Sequence, residues 1–104
     1  MTILHIDTRD NKNVVAKLDI DGKIIEANSI NEDRRPESIV NLIAAVCEKA
    51  GIRVQDVDEI NVEEGPGSYT GLKVGVSVAN ALSFALGKKV NGKMIGEMVE
   101  PTYE

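Results

Sequence analysis

The stretch Gly65-Pro66-Gly67-Ser68-Tyr69-Thr70-Gly71-Leu72-Lys73 combines flexible glycines, small hydroxyls and a lysine, the residue types of a phosphate-cradling loop. Its spacing departs from the P-loop pattern, where Lys and then Ser or Thr follow the last glycine directly. Here Leu72 intervenes and Val74 follows Lys73. Backbone N–H groups at a helix start after this turn would still face an anion. The candidate anion or nucleotide contacts are therefore Asp7, Thr8, Gly67 and Ser68. Ser68 and Thr70 are also hydroxyls a nucleophile would use, but His5, the one histidine, lies far up the chain. Capping and turn hydrogen bonds explain both hydroxyls more simply. Asp7, Glu63 and Glu64 are candidate magnesium ligands if strands one and four are neighbours; solvated surface carboxylates are the competing reading. No catalytic residue, resident metal or cofactor is expected.

Composition narrows the classes further. A net charge of −5 and few aromatic platforms (Tyr69, Phe84, Tyr103) argue against direct nucleic-acid binding. One histidine excludes a multi-histidine metal site, and one cysteine, Cys47, excludes an internal disulfide. Cys47 falls in an apolar helix arc and reads as a packed side chain. His5 lies in an apolar strand and reads the same way. No signal peptide or membrane span is recognisable, so a reducing cytoplasm is the expected compartment.

The elements that would position these groups follow from periodicity and turn residues. Ile3 to Thr8 reads as a largely buried strand with Asp7 and Thr8 at its carboxyl end, where open α/β sheets place ligand groups. Val14–Ile20 and Lys23–Ser29 flank Asp21-Gly22, a two-residue hairpin signal, and complete a three-stranded meander. Asn31 to Arg35 is a charged loop. Pro36 suits a first helical position, and the apolar periodicity from Ile39 to Ala50 predicts a helix over 36–51. Val54 to Asp58 is a short turn and Glu59–Glu63 a fourth strand. Thr70 is expected to cap a second helix over 70–87, closed by Gly87. Lys88 to Val90 begins a fifth strand, Asn91-Gly92 is a second hairpin dipeptide, and Met94 to Val99 is the expected return. The order βββαβα plus a terminal strand or hairpin predicts an α/β fold with a mixed sheet.

Both helices are apolar over about 200° of arc, wider than a one-sided surface helix needs. In the second, Gly71, Gly75 and Ala79 recur every fourth residue and form a strip with almost no side-chain bulk. Such a strip admits another backbone closely, although each interior glycine costs about 1 kcal/mol relative to alanine. Its partner is either the chain's own sheet or a helix of another molecule.

Ile6-Asp7-Thr8, and above all Gly65-Pro66-Gly67-Ser68-Tyr69-Thr70-Gly71-Leu72-Lys73-Val74-Gly75, resemble the TsaB (YeaZ) family. Ala79 and Leu82 to Gly87 continue the likeness. Tyr69 and Lys73 stand where the family usually has Phe and Arg, and Arg9 stands where it usually has Ser. The resemblance implies a single actin-like ATPase (ribonuclease H-like) lobe. It implies a non-catalytic subunit in formation of N6-threonylcarbamoyladenosine at position 37 of tRNA. Implied partners are a TsaD-like transferase, with a TsaE-like ATPase joining, or a second copy when the chain is alone. Docking would use the two helices, and the residues expected at that surface are Val40, Ala44, Cys47, Gly71, Val74, Gly75, Val78, Ala79 and Leu82.

The likeness covers the first lobe only. Glu100-Pro101-Thr102-Tyr103 resembles the Pro-x-Tyr ending of full-length members, so a one-lobe member over 1–104 is expected. Two alternatives remain at this stage: a small nucleotide-binding phosphotransferase-like domain, or a self-associating module without a tRNA role.

Overall fold

A computed structural model of the chain describes residues 1–10, 13–29, 36–93 and 99–101. Its elements are β1 (Thr2–Asp10), β2 (Asn13–Ile20), β3 (Lys23–Ser29), α1 (Pro36–Ala50), a 3-10 turn (Val54–Asp56), β4 (Glu59–Val62), α2 (Tyr69–Leu86) and β5 (Lys89–Val90). The strands form one mixed sheet in the order β3-β2-β1-β4-β5. β1, β2 and β3 pair antiparallel, whereas β4 lies parallel to β1 and β5 parallel to β4. The expected βββαβα order is the observed one. Asp21-Gly22 makes the hairpin, with both residues at positive φ (52° and 91°).

Strand alternation decides which face the helices cover. Leu4, Ile6 and Thr8 of β1, Val14, Ala16 and Leu18 of β2, and Ile60 and Val62 of β4 are buried on one face. Ile39, Ile43 and Val46 of α1 and Val76 and Ala79 of α2 pack onto that face. Fully burying each large aliphatic contributes about 1.5–3 kcal/mol, so this layer carries the fold. The opposite face presents His5, Asp7, Lys17 and Asn61, all only half-buried, and no described helix packs there.

Several boundaries differ from the sequence expectation. α2 begins one residue earlier, because Ser68 rather than Thr70 is the cap: its Oγ accepts from Gly71 N–H at 3.3 Å. Gly87 closes the helix in the left-handed conformation (φ 66°), as expected. β5 contracts to two residues, after which Asn91 and Gly92 turn the chain and Lys93 bridges back to Val90. The charged loop over 31–35, most of the expected return over 94–98, and residues 102–104 lie outside the described residues.

The strip Gly71-Gly75-Ala79 turns inward, which corrects its expected placement on a partner face. A Cβ on Gly71 would overlap the backbone carbonyl of Thr8, and one on Gly75 would overlap the Thr8 side chain. Ala79 is wholly buried. The glycines are there because the end of β1 runs directly beneath α2. Cys47 is corrected in the same way: it is 4% exposed, inside the α1 layer.

Candidate functional site

Two regions carry the groups singled out by the sequence. The first lies where β1 and β4 end and the glycine turn begins. Asp7 is held by Arg9: the Arg9 Nε–H donates to Asp7 Oδ1 at 3.1 Å, Nη2–H to Oδ2 at 2.9 Å, and the Arg9 backbone N–H to Oδ1 at 3.0 Å. Arg9 Nη1 also stands 3.8 Å from Glu63 Oε2. Partial burial pushes the Asp7 carboxyl up, but these Arg9 contacts outweigh it and hold it below its ordinary 3.8. Arg9 thus supplies a cation to two of the three carboxylates read as candidate magnesium ligands, Asp7 and Glu63.

The other candidate anion contacts are committed within the fold. Thr8 is 1% exposed under Gly71 and Gly75, which removes it from any surface anion. Its Oγ1 has no hydrogen-bond partner among the described residues. The Ser68 hydroxyl accepts from Gly71 N–H, and Ser68 N–H donates to Arg9 O at 3.1 Å. Gly67 rides against Arg9, whose Cβ would lie 2.9 Å from a Cβ built there. The turn is therefore docked onto the end of β1 by close backbone approach.

Beside this end, on the bare sheet face, lies a groove of about 580 Å³ lined by His5, Lys17, Glu26, Asn61 and Glu63 among others. Burial first, then the cation on Lys17, holds His5 below its ordinary 6.5. Cys47, in the core, has its thiol pushed up by burial first and then by Asp56.

The second region is the outer surface of the helix pair. Pro36 and Val40 of α1 and Ser77, Val78, Ala81, Leu82 and Ala85 of α2 line an apolar groove of about 340 Å³. None of these side chains carries a charge. Val40 is 47% exposed and Phe84, next to the groove on α2, is 80% exposed. Of the residues expected at a partner surface, Val40, Val78 and Leu82 line this groove. Ala44 is exposed on α1 and Val74 half-buried on α2. The sequence reading missed Ser77, Ala81, Ala85 and Phe84. Ser77, Ala81 and Ala85 also recur every fourth residue, so the signal was present, but the glycine strip was the louder of the two.

The family model described as TsaD, tRNA N6-adenosine threonylcarbamoyltransferase, matches residues 29–92, the segment that spans α1, β4, α2 and β5. The chain belongs to this family. It is 33% identical over 86 residues to the tRNA threonylcarbamoyladenosine biosynthesis protein TsaB of Bacillus subtilis, covering 83% of this chain and 38% of that protein. It is 39% identical over 85 residues to the tRNA N6-adenosine threonylcarbamoyltransferase of Ralstonia pickettii, covering 80% of this chain and 24% of that protein. The fold matches that of YeaZ from Pseudomonas aeruginosa with a TM-score of 0.79 at 24% identity, over 86% of this chain and 43% of that one.

The likenesses to TsaB and to YeaZ are those the glycine motif implied. The chain's mixed sheet has the fold of YeaZ, as expected for a mixed α/β lobe. The chain spans only 24% and 38% of the lengths of the two curated relatives named here. No described helix is long and apolar enough to cross a membrane.

Proposed function

We propose that this chain is a non-catalytic scaffold subunit in tRNA N6-threonylcarbamoyladenosine formation, docking a TsaD-like transferase through the groove between α1 and α2. The observation that carries this reading is the uncharged groove lined by Val40, Ser77, Ala81, Leu82 and Ala85, with Phe84 standing exposed beside it. Small residues every fourth position let a foreign helix approach closely, and an exposed aromatic beside them is the type of side chain that anchors interfaces. Left in water, such a face forfeits the burial energy of its aliphatic groups. The family and its relatives supply the pathway, since TsaB and TsaD proteins are named for this modification.

In the absence of that partner the same face pairs with a second copy, which satisfies the self-complementarity a twofold interface requires. A TsaE-like ATPase would join the complex, and the cytoplasm is the proposed compartment. Asp7, engaged by Arg9, and Thr8, buried beneath α2, favour this reading over direct nucleotide chemistry.

The test is restoration of the modified adenosine in a bacterial strain lacking its own TsaB, together with co-purification of a TsaD-like protein. The unaltered chain restores the modification, and Ala81→Glu loses both partner and restoration while keeping its far-UV spectrum. Failure of the folded, expressed chain in both assays overturns the proposal. Tight ATP–magnesium binding by the isolated chain, read by calorimetry, would favour the phosphotransferase alternative instead.

A further inference from the structure

β3 is an outer strand whose one strand neighbour among the described residues is β2. Its ladder with β2 runs unbroken from Val14–Ser29 to Ile20–Lys23, so no bulge twists this edge out of reach. Neither Pro nor Gly interrupts Lys23–Ser29, and Ile24 is 52% exposed. Along an edge, alternate residues turn N–H and C=O outward, a template for pairing with another chain. The carbonyl of Glu26, the central residue of the strand, is occupied: Lys49 Nζ donates to it at 3.0 Å. Lys49 sits in the last turn of α1, the helix that covers the inner face of β3. The helix thus sends a cation round to the middle of the strand.

We propose that Lys49 guards the β3 edge against strand addition by a second copy of this chain. An incoming strand needs the Glu26 carbonyl for its own N–H and must first displace an ammonium from it. A second copy is the occupant because each molecule carries the same bulge-free edge with Ile24 exposed, and antiparallel edges are complementary in donors and acceptors by construction. This contact is independent of the α1–α2 groove and of the partner proposed for it.

The experiment compares the full chain with Lys49→Met, Lys49→Gln and Lys49→Arg by amide hydrogen exchange and light scattering over a range of concentrations. Lys49→Met and Lys49→Gln should gain about tenfold concentration-dependent protection at the amides of Ile24, Glu26 and Asn28, with a rise in particle mass. Lys49→Arg keeps a donor and a charge and should behave as the unaltered chain. Adding Ile24→Lys to Lys49→Met should abolish the new association if it runs through the edge, whereas association of a misfolded chain would persist. Unchanged mass and exchange in a folded Met or Gln variant overturns the proposal. So does new protection confined to α1 and α2, or association that survives Ile24→Lys.

Discussion

The carboxamide of Asn80 grips the backbone of Val99 at both polar groups: Nδ2–H donates to Val99 O at 2.9 Å, and Oδ1 accepts from Val99 N–H at 2.9 Å. A side chain on α2 thereby supplies partners for both backbone groups of Val99, which is 2% exposed. Asn91 repeats the device at the end of β4. Its Oδ1 accepts from Val62 N–H at 2.7 Å, while its Nδ2 donates to Val62 O at 2.9 Å and to Glu64 Oε1 at 2.7 Å. Asn91 thus pairs the end of β4 beyond the point where β5 stops.

Asn80→Ala leaves the Val99 N–H and C=O without these partners. A loss of about 2 kcal/mol is expected from one to two buried hydrogen bonds, read as a lower urea midpoint. An unchanged midpoint would mean that water replaces the amide fully.

Asn91→Asp should be worse than Asn91→Ala at neutral pH. The carboxylate would face the Val62 carbonyl and the Glu64 carboxylate, where the amide now donates to both. The gap between the two variants should shrink as the pH falls and the introduced carboxylate protonates. Parallel denaturation series at pH 7.5 and 4.5 test this ordering.

Thr8 and Gly75 are coupled sterically. Gly75→Ala should destabilise by about 2 kcal/mol or more, because its methyl overlaps the Thr8 side chain. Thr8→Val, an isosteric change that deletes an unpartnered buried hydroxyl, should be neutral or stabilising by about 1 kcal/mol. Gly75→Ala combined with Thr8→Ala should be less damaging than the sum of the single changes, and a double-mutant cycle reads that difference.

His5 sets a pH window. Its imidazole titrates below the ordinary 6.5 in the folded chain, through burial first and then Lys17, with Asp19 and Glu63 opposing. Asp7 and Glu26 line the same groove. A depressed folded value means the stabilisation is complete above pH 6.5 and declines as the pH falls through the folded value. His5→Gln should flatten the stability curve between pH 7.5 and 5. The Asp7 contribution lies lower: it is present above pH 3.8 and is lost as acidification passes the depressed folded value.

Phe84 should matter to association and little to folding. It is 80% exposed, so Phe84→Ser is expected to change the unfolding midpoint only slightly. If the outer groove is the docking face, the same change should weaken association with a TsaD-like protein or a second copy by about tenfold or more. Analytical ultracentrifugation of the two folded proteins decides the matter.

Periodicity and turn chemistry alone determined the element order, the Asp21-Gly22 hairpin and the Gly87 helix stop, and the glycine motif carried the family resemblance, because each is written in residues close together in the chain. Tertiary structure decided which side of a two-sided helix faces inward. Gly71 and Gly75 lie on the underside of α2 against Thr8, Ala79 is buried, and Ser77, Ala81 and Ala85 are left outside. An apolar arc of about 200° does not say which half meets the chain's own sheet; that depends on where a strand sixty-odd residues earlier passes under the helix. The same holds for Lys49 on Glu26 and Asn80 on Val99. Each pairing is made by the way strands and helices stack, and no local pattern distinguishes these polar side chains from ones that merely face water.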